Sequence, residues 1–101
     1  MGIKVKELDL MMTSDNLVVL DFWAEWCGPC KALKLTFELF AEENEEQIIR
    51  TINIDTLPEL AQKYNVRSLP TILYLKNGEV LDKKVGNCTL DELNETLLKH
   101  I

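Results

Sequence analysis

Cys27 and Cys30, separated by Gly28-Pro29, are the residues of this chain best suited to covalent chemistry. Two thiols at this spacing can close a disulfide and pass an electron pair to another one, or they can supply half of a zinc site. Electron transfer needs one sulfur that ionises readily at the surface and a second within its reach. A helix start provides both. Unpaired backbone N–H groups and the helix dipole favour a thiolate at Cys27, at or just before the first turn. Cys30, one turn further in, points toward the same place from a more buried position. The pattern makes Cys27 the attacking nucleophile and Cys30 the thiol that resolves the resulting mixed disulfide. Pro29 suits the first turn, where its missing N–H has no helical partner, and Gly28 lets a substrate backbone come close. Zinc would require two further ligands, and only Cys88 and His100 remain, without finger spacing. A Cys-x-x-Cys that follows an apolar strand and opens a helix favours the redox reading.

The elements that must position this pair are legible on both sides of it. Leu17–Phe22 is apolar apart from Asp21, as expected of a central strand covered on both faces. From Cys30 to about Asn44 the period turns helical, with Cys30, Leu33, Phe37, Phe40 and Ala41 in one stripe. Ile3–Lys6 alternates and predicts a short edge strand, and Glu7–Thr13 a brief helix. Gln47–Ile54 reads as a strand. Pro58–Tyr64 reads as a short helix that Asn65 can end in a left-handed conformation. Thr71–Lys76 and Glu79–Val85 flank Asn77-Gly78, a two-residue hairpin signal. Thr89 with Glu92 forms a capping-box pattern ahead of Leu90, Leu93, Leu97 and Leu98. The order is β-α-β-α-β-α-β-β-α; alternation predicts parallel strands first and an antiparallel hairpin last.

At 101 residues the chain is expected to form one domain, residues 1–101, with a core that needs no staples. Its net charge of -6 argues against binding a phosphate backbone. No apolar run approaches the ~20 residues of a membrane span, and the first residues show no apolar leader segment, so a cytoplasmic protein is expected. In such a compartment a Cys-x-x-Cys pair is catalytic or metal-binding rather than a staple.

Trp26-Cys27-Gly28-Pro29-Cys30-Lys31 resembles the active-site motif of the thioredoxin family. The likeness extends through Asn53-Ile54-Asp55, Leu69-Pro70-Thr71 and Lys76-Asn77-Gly78-Glu79-Val80 to Gly86. It implies an α/β thioredoxin fold, a five-stranded mixed sheet sandwiched by four helices, the first of them shortened here. It implies a monomeric protein-disulfide reductase without a cofactor of its own. A separate thioredoxin reductase would recharge it, and its substrates would be disulfide-containing proteins. Two rival readings are a dithiol oxidase or isomerase of the same fold and a redox-independent subunit of a larger assembly. Gly28-Pro29 and the lack of a leader disfavour the former.

Several single residues acquire roles only through this resemblance. From sequence alone, Asp21 at a strand end reads as facing water. The family likeness implies instead a buried carboxylate that accepts the Cys30 proton, with a pKa raised by burial. Trp26 would border the substrate groove, while Trp23 reads as core. Pro70 would be cis against the two sulfurs, and the backbone of Leu69 would pair with an extended substrate. Gly86, with Asn87 beside it, would keep the far side of the groove open. Lys31 reads equally as a contributor to the local potential and as a solvated helix lysine, and Cys88 as an inert, half-buried thiol. Two departures stand out. Leu35 occupies the place of a kinking helix proline, so that Leu35 and Leu39 should point away from the core. Thr51 occupies the place of a lysine that would neighbour Asp21.

Overall fold

Aliphatic and aromatic side chains alternate to both faces of Val18–Trp23, and both faces are covered, so this strand, β1, is buried along most of its length. The computed structural model describes residues 2–7 and 13–101. After β1 come α1 (Gly28–Glu43), β2 (Ile48–Asn53), α2 (Pro58–Lys63), β3 (Thr71–Lys76), β4 (Glu79–Val85) and α3 (Leu90–Leu98). The described residues thus form a mixed four-stranded sheet, ordered β2-β1-β3-β4, with three α-helices.

Helix length decides strand direction. The 16 residues of α1 span ~24 Å, enough to carry the chain back along β1, and β2 joins it in parallel. The six residues of α2 span only ~9 Å, less than half of a six-residue strand at ~20 Å. The chain therefore re-enters the sheet at the end where β2 left it, and β3 runs antiparallel to β1, not parallel as alternation alone suggests. As a result the end of β1, the start of α1 and the start of β3 meet at one edge of the molecule.

Odd-numbered positions of β1 face α1 and α3, where Leu17, Val19, Ile49, Ile72 and Tyr74 pack on Leu33, Phe37, Phe40, Leu93 and Leu97. Even-numbered positions face α2, where Val18, Leu20, Phe22, Ile52, Leu73 and Leu75 pack around Leu60. The turn signals act as their chemistry dictates. Asn77 and Gly78 both have positive φ, 51° and 79°, as a tight hairpin requires. Asn65 is left-handed at 57° just beyond α2. Thr89 caps α3 while the Glu92 side chain returns the bond to its backbone.

The edge strand expected over Ile3–Lys6 is reduced to a single bridge between Gly2 and Thr51, followed by a 3-10 turn at Val5–Glu7. Glu7 is the cause. Its carboxylate accepts from the Lys4 backbone at 3.1 Å and pairs with Arg50 at 3.2 Å, which curls the segment before a ladder can extend. The brief helix expected over Glu7–Thr13 lies mostly outside the described residues.

Candidate active site

Cys27 is the N-cap of α1: its backbone is extended and its Sγ accepts from the Cys30 N–H at 3.2 Å. A sulfur in that place lies against the first-turn N–H groups, where negative charge is favoured. Cys27 and Cys30 are joined in a disulfide with their Cα atoms 5.3 Å apart. Cys30 is buried as expected, and Cys27 is more enclosed than the sequence suggests. Cys27 is 6% exposed and Cys30 3%, so the expected open surface sulfur is instead a recessed one. Ala24 packs directly on the pair, with Trp23, Ile54 and Leu69 around them, which accounts for the recess.

The two cysteines border different spaces. Cys27 lines an open groove of about 410 Å³ with Trp26, Gly28, Pro29, Ile54, Val66, Arg67 and Leu69. Trp26 is 69% exposed, and its Nε1 donates to Asp55 Oδ2 at 3.1 Å. Asp55 is in turn held by its backbone N–H on Asn53 Oδ1 at 2.9 Å. A Cβ added at Gly28 would meet nothing within 4 Å, so the room above it belongs to whatever enters the groove. The Leu69–Pro70 peptide is cis, and the Pro70 carbonyl accepts from the Gly86 N–H at 2.9 Å. Gly86 has φ 91°, which asks for glycine even though space for a side chain exists. Asn87 is exposed beside it and is not part of the groove lining.

Cys30 instead lines a cavity of about 520 Å³ between α1 and the β2 side of the sheet, shared with Asp21, Thr51, Lys31 and Lys34. Asp21 is 3% exposed, and its Oδ1 has no hydrogen-bond partner among the described residues. Burial pushes its carboxyl up to about 7. The register sets Thr51 beside Asp21 on β2, as the count back from Asn53 anticipates. Asp21 therefore does not face water, and the buried alternative holds.

Cys88 is half-buried, its thiol held up first by burial and then by Glu92. His100 Nε2 lies 3.2 Å from Asp82 Oδ2. Among the described residues no group of three or more Cys, His, Asp or Glu could hold a metal ion. Ile54, Asp55, Val66 and Arg67 at the groove and Lys34 at the cavity are site residues that sequence reasoning did not single out. The Asn53-Ile54-Asp55 motif carried a signal for two of the groove residues; Val66 and Arg67 come from the segment between α2 and β3, where no motif marked them.

The comparisons with known proteins agree with this architecture. The Thioredoxin family model matches residues 4–99. A thioredoxin of Mycoplasmoides gallisepticum is 36% identical over 91 residues, covering 90% of this chain and 91% of that one. One of Rickettsia prowazekii is 40% identical over 92 residues, covering 86% and 88%. Among solved structures, the Malassezia sympodialis thioredoxin Mala s 13 superposes with a TM-score of 0.85 at 29% identity, covering 96% of this chain and 85% of that one.

Proposed function

The chain belongs to the thioredoxin family and is a thiol-disulfide oxidoreductase with protein-disulfide reductase activity, and we propose that its two cysteines divide the work by the spaces they border. The observation that carries this division is the placement of Cys27 on the groove and of Cys30 on the Asp21 cavity.

In the reduced protein the Cys27 thiolate, favoured by the start of α1, attacks one sulfur of a substrate disulfide lying in the groove. A Cys27–substrate disulfide forms, and the electron pair leaves on the other substrate sulfur, which takes a proton from water. The Cys30 thiol then gives its proton to the Asp21 carboxylate. The new thiolate attacks Cys27 Sγ, the Cys27–substrate bond breaks, and the second substrate sulfur leaves and is protonated. Two electrons have passed from the dithiol to the substrate. A carboxyl titrating at about 7 suits this task, since both its forms are populated near neutral pH.

Substrate recognition follows from the groove. The exposed Trp26 ring, fixed by Asp55, offers an apolar flank, and the backbone of Leu69 is available to an extended segment in the manner of an added strand. Pro70 and Gly86, tied to each other, hold that backbone in place, and the exposed Asn87 beside Gly86 is open to a substrate that extends past the groove. The domain, residues 1–101, acts as a cytoplasmic monomer, without a bound cofactor. A separate thioredoxin reductase returns two electrons and two protons to the disulfide.

Reduction of insulin disulfides, with dithiothreitol as electron source, tests the reading. The parent should turn over and Cys27→Ser should not. Turnover retained in Cys27→Ser would contradict the assignment.

A further inference from the structure

A buried carboxyl that takes and returns a proton must pass through its charged form, which is costly without a cation nearby. Asp21 stands in the wall of a cavity with one oxygen unpartnered among the described residues. The sheet offers it no charge: β2 sets Thr51 beside it and β3 sets Ile72. Lys84 on β4, paired with Ile72, shares the face but lies two strands away, roughly 10 Å. From the α3 side come Cys88, whose thiol Asp21 helps to hold up, and Glu92. The segment before α1 contributes Glu25, another acid. In this structure burial alone governs Asp21.

Cations come from α1. Cys30 and Phe37 are two helical turns apart and form the inner row of the cavity wall; Lys31, Lys34 and Glu38, at helical spacings, form the row at its rim. Lys34 is central in that row, directly one turn beyond Cys30. It is exposed, so its stem is free to move, and Glu38 one turn further on offers an alternative resting place outside. Lys31, in the first turn of α1 and next to Cys30 in the chain, lines the same cavity and is the competing cation that the test must separate.

We propose that Lys34 is a positioning residue for the proton transfer: its ammonium turns over the cavity rim to face the Asp21 carboxylate, supplying the charge that β2 lacks at Thr51. Proton exchange between Asp21 and solvent then runs past Lys34. The idea rests on Asp21 being the proton acceptor of Cys30, and the test separates the two.

Carboxyl NMR titration of the oxidised protein reads Asp21 without interference from the paired cysteines. Lys34→Gln should move its midpoint up by about half a pH unit, the scale of one partly screened charge. Lys34→Arg should stay with the parent, and adding Thr51→Lys to Lys34→Gln should bring the midpoint back. In single-turnover resolution of a Cys27 mixed disulfide, Lys34→Gln should shift the pH profile by the same amount, lowering the rate about twofold at the parent midpoint and about threefold well below it. In an Asp21→Asn background it should shift nothing. A midpoint and profile unchanged in Lys34→Gln, or an equal shift from Lys31→Gln, would overturn the proposal while leaving Asp21 its role. A resolving rate in Asp21→Asn equal to the parent would instead remove Asp21 as acceptor.

Discussion

Asp21 holds a carboxyl where solvation is nearly absent, and that has a cost the whole fold must bear. Its folded pKa of about 7 lies above the ordinary aspartate value of 3.8. Between those limits the native state keeps a proton that the unfolded state has lost, so its contribution to stability falls as pH rises from about 4 to about 7. Asp21→Asn should remove that slope in the oxidised protein. At pH 8 it should be more stable than the parent by roughly 4 kcal/mol, and near pH 4 about equal to it. Urea unfolding of both proteins at the two pH values checks this; parallel curves would show a solvated carboxylate. Thr51 is reached as its neighbour through the family resemblance, which sets that position two residues before Asn53, and the strand register agrees. Sequence reasoning could not decide that Asp21 is buried, because burial depends on α1 lying across that end of the strand. The same limit applies to Cys27, whose recess is made by Ala24, Trp23, Ile54 and Leu69 together.

At the scale of elements, local rules carried furthest where one residue type has one good solution. Asn77-Gly78, Asn65 and the Thr89–Glu92 box each closed as their chemistry requires. Thr89→Ala should accordingly cost about 1 kcal/mol in urea unfolding by removing the cap of α3. A loss near zero would mean that packing of Leu93 and Leu97 alone holds the helix. α1 runs unbroken through Leu35, as expected without a proline there, and Leu35 is 67% exposed, turned from the core. Local rules failed at Ile3–Lys6, where alternation predicted a strand but Glu7 and Arg50 fold the chain into a turn. They also failed for the direction of β3, which depends on the distance α2 can span and not on any pattern within β3.

Over the whole molecule, the short α2 and long α1 have one joint consequence: they gather the C-terminal end of β1, the cap of α1 and the Leu69–Pro70 turn at a single edge. The dithiol is thereby set between two spaces, an open groove for a substrate and a cavity for a proton. That division of labour is the central claim, and trapping the intermediate tests it most directly. Cys30→Ser, reduced and mixed with a disulfide peptide, should accumulate one adduct, mapped by peptide mass to Cys27 and released by dithiothreitol. Cys27→Ser should accumulate none under the same conditions. An adduct on Cys88 in the first variant, or on Cys30 at a comparable rate in the second, would contradict the assignment of the groove-facing sulfur as nucleophile.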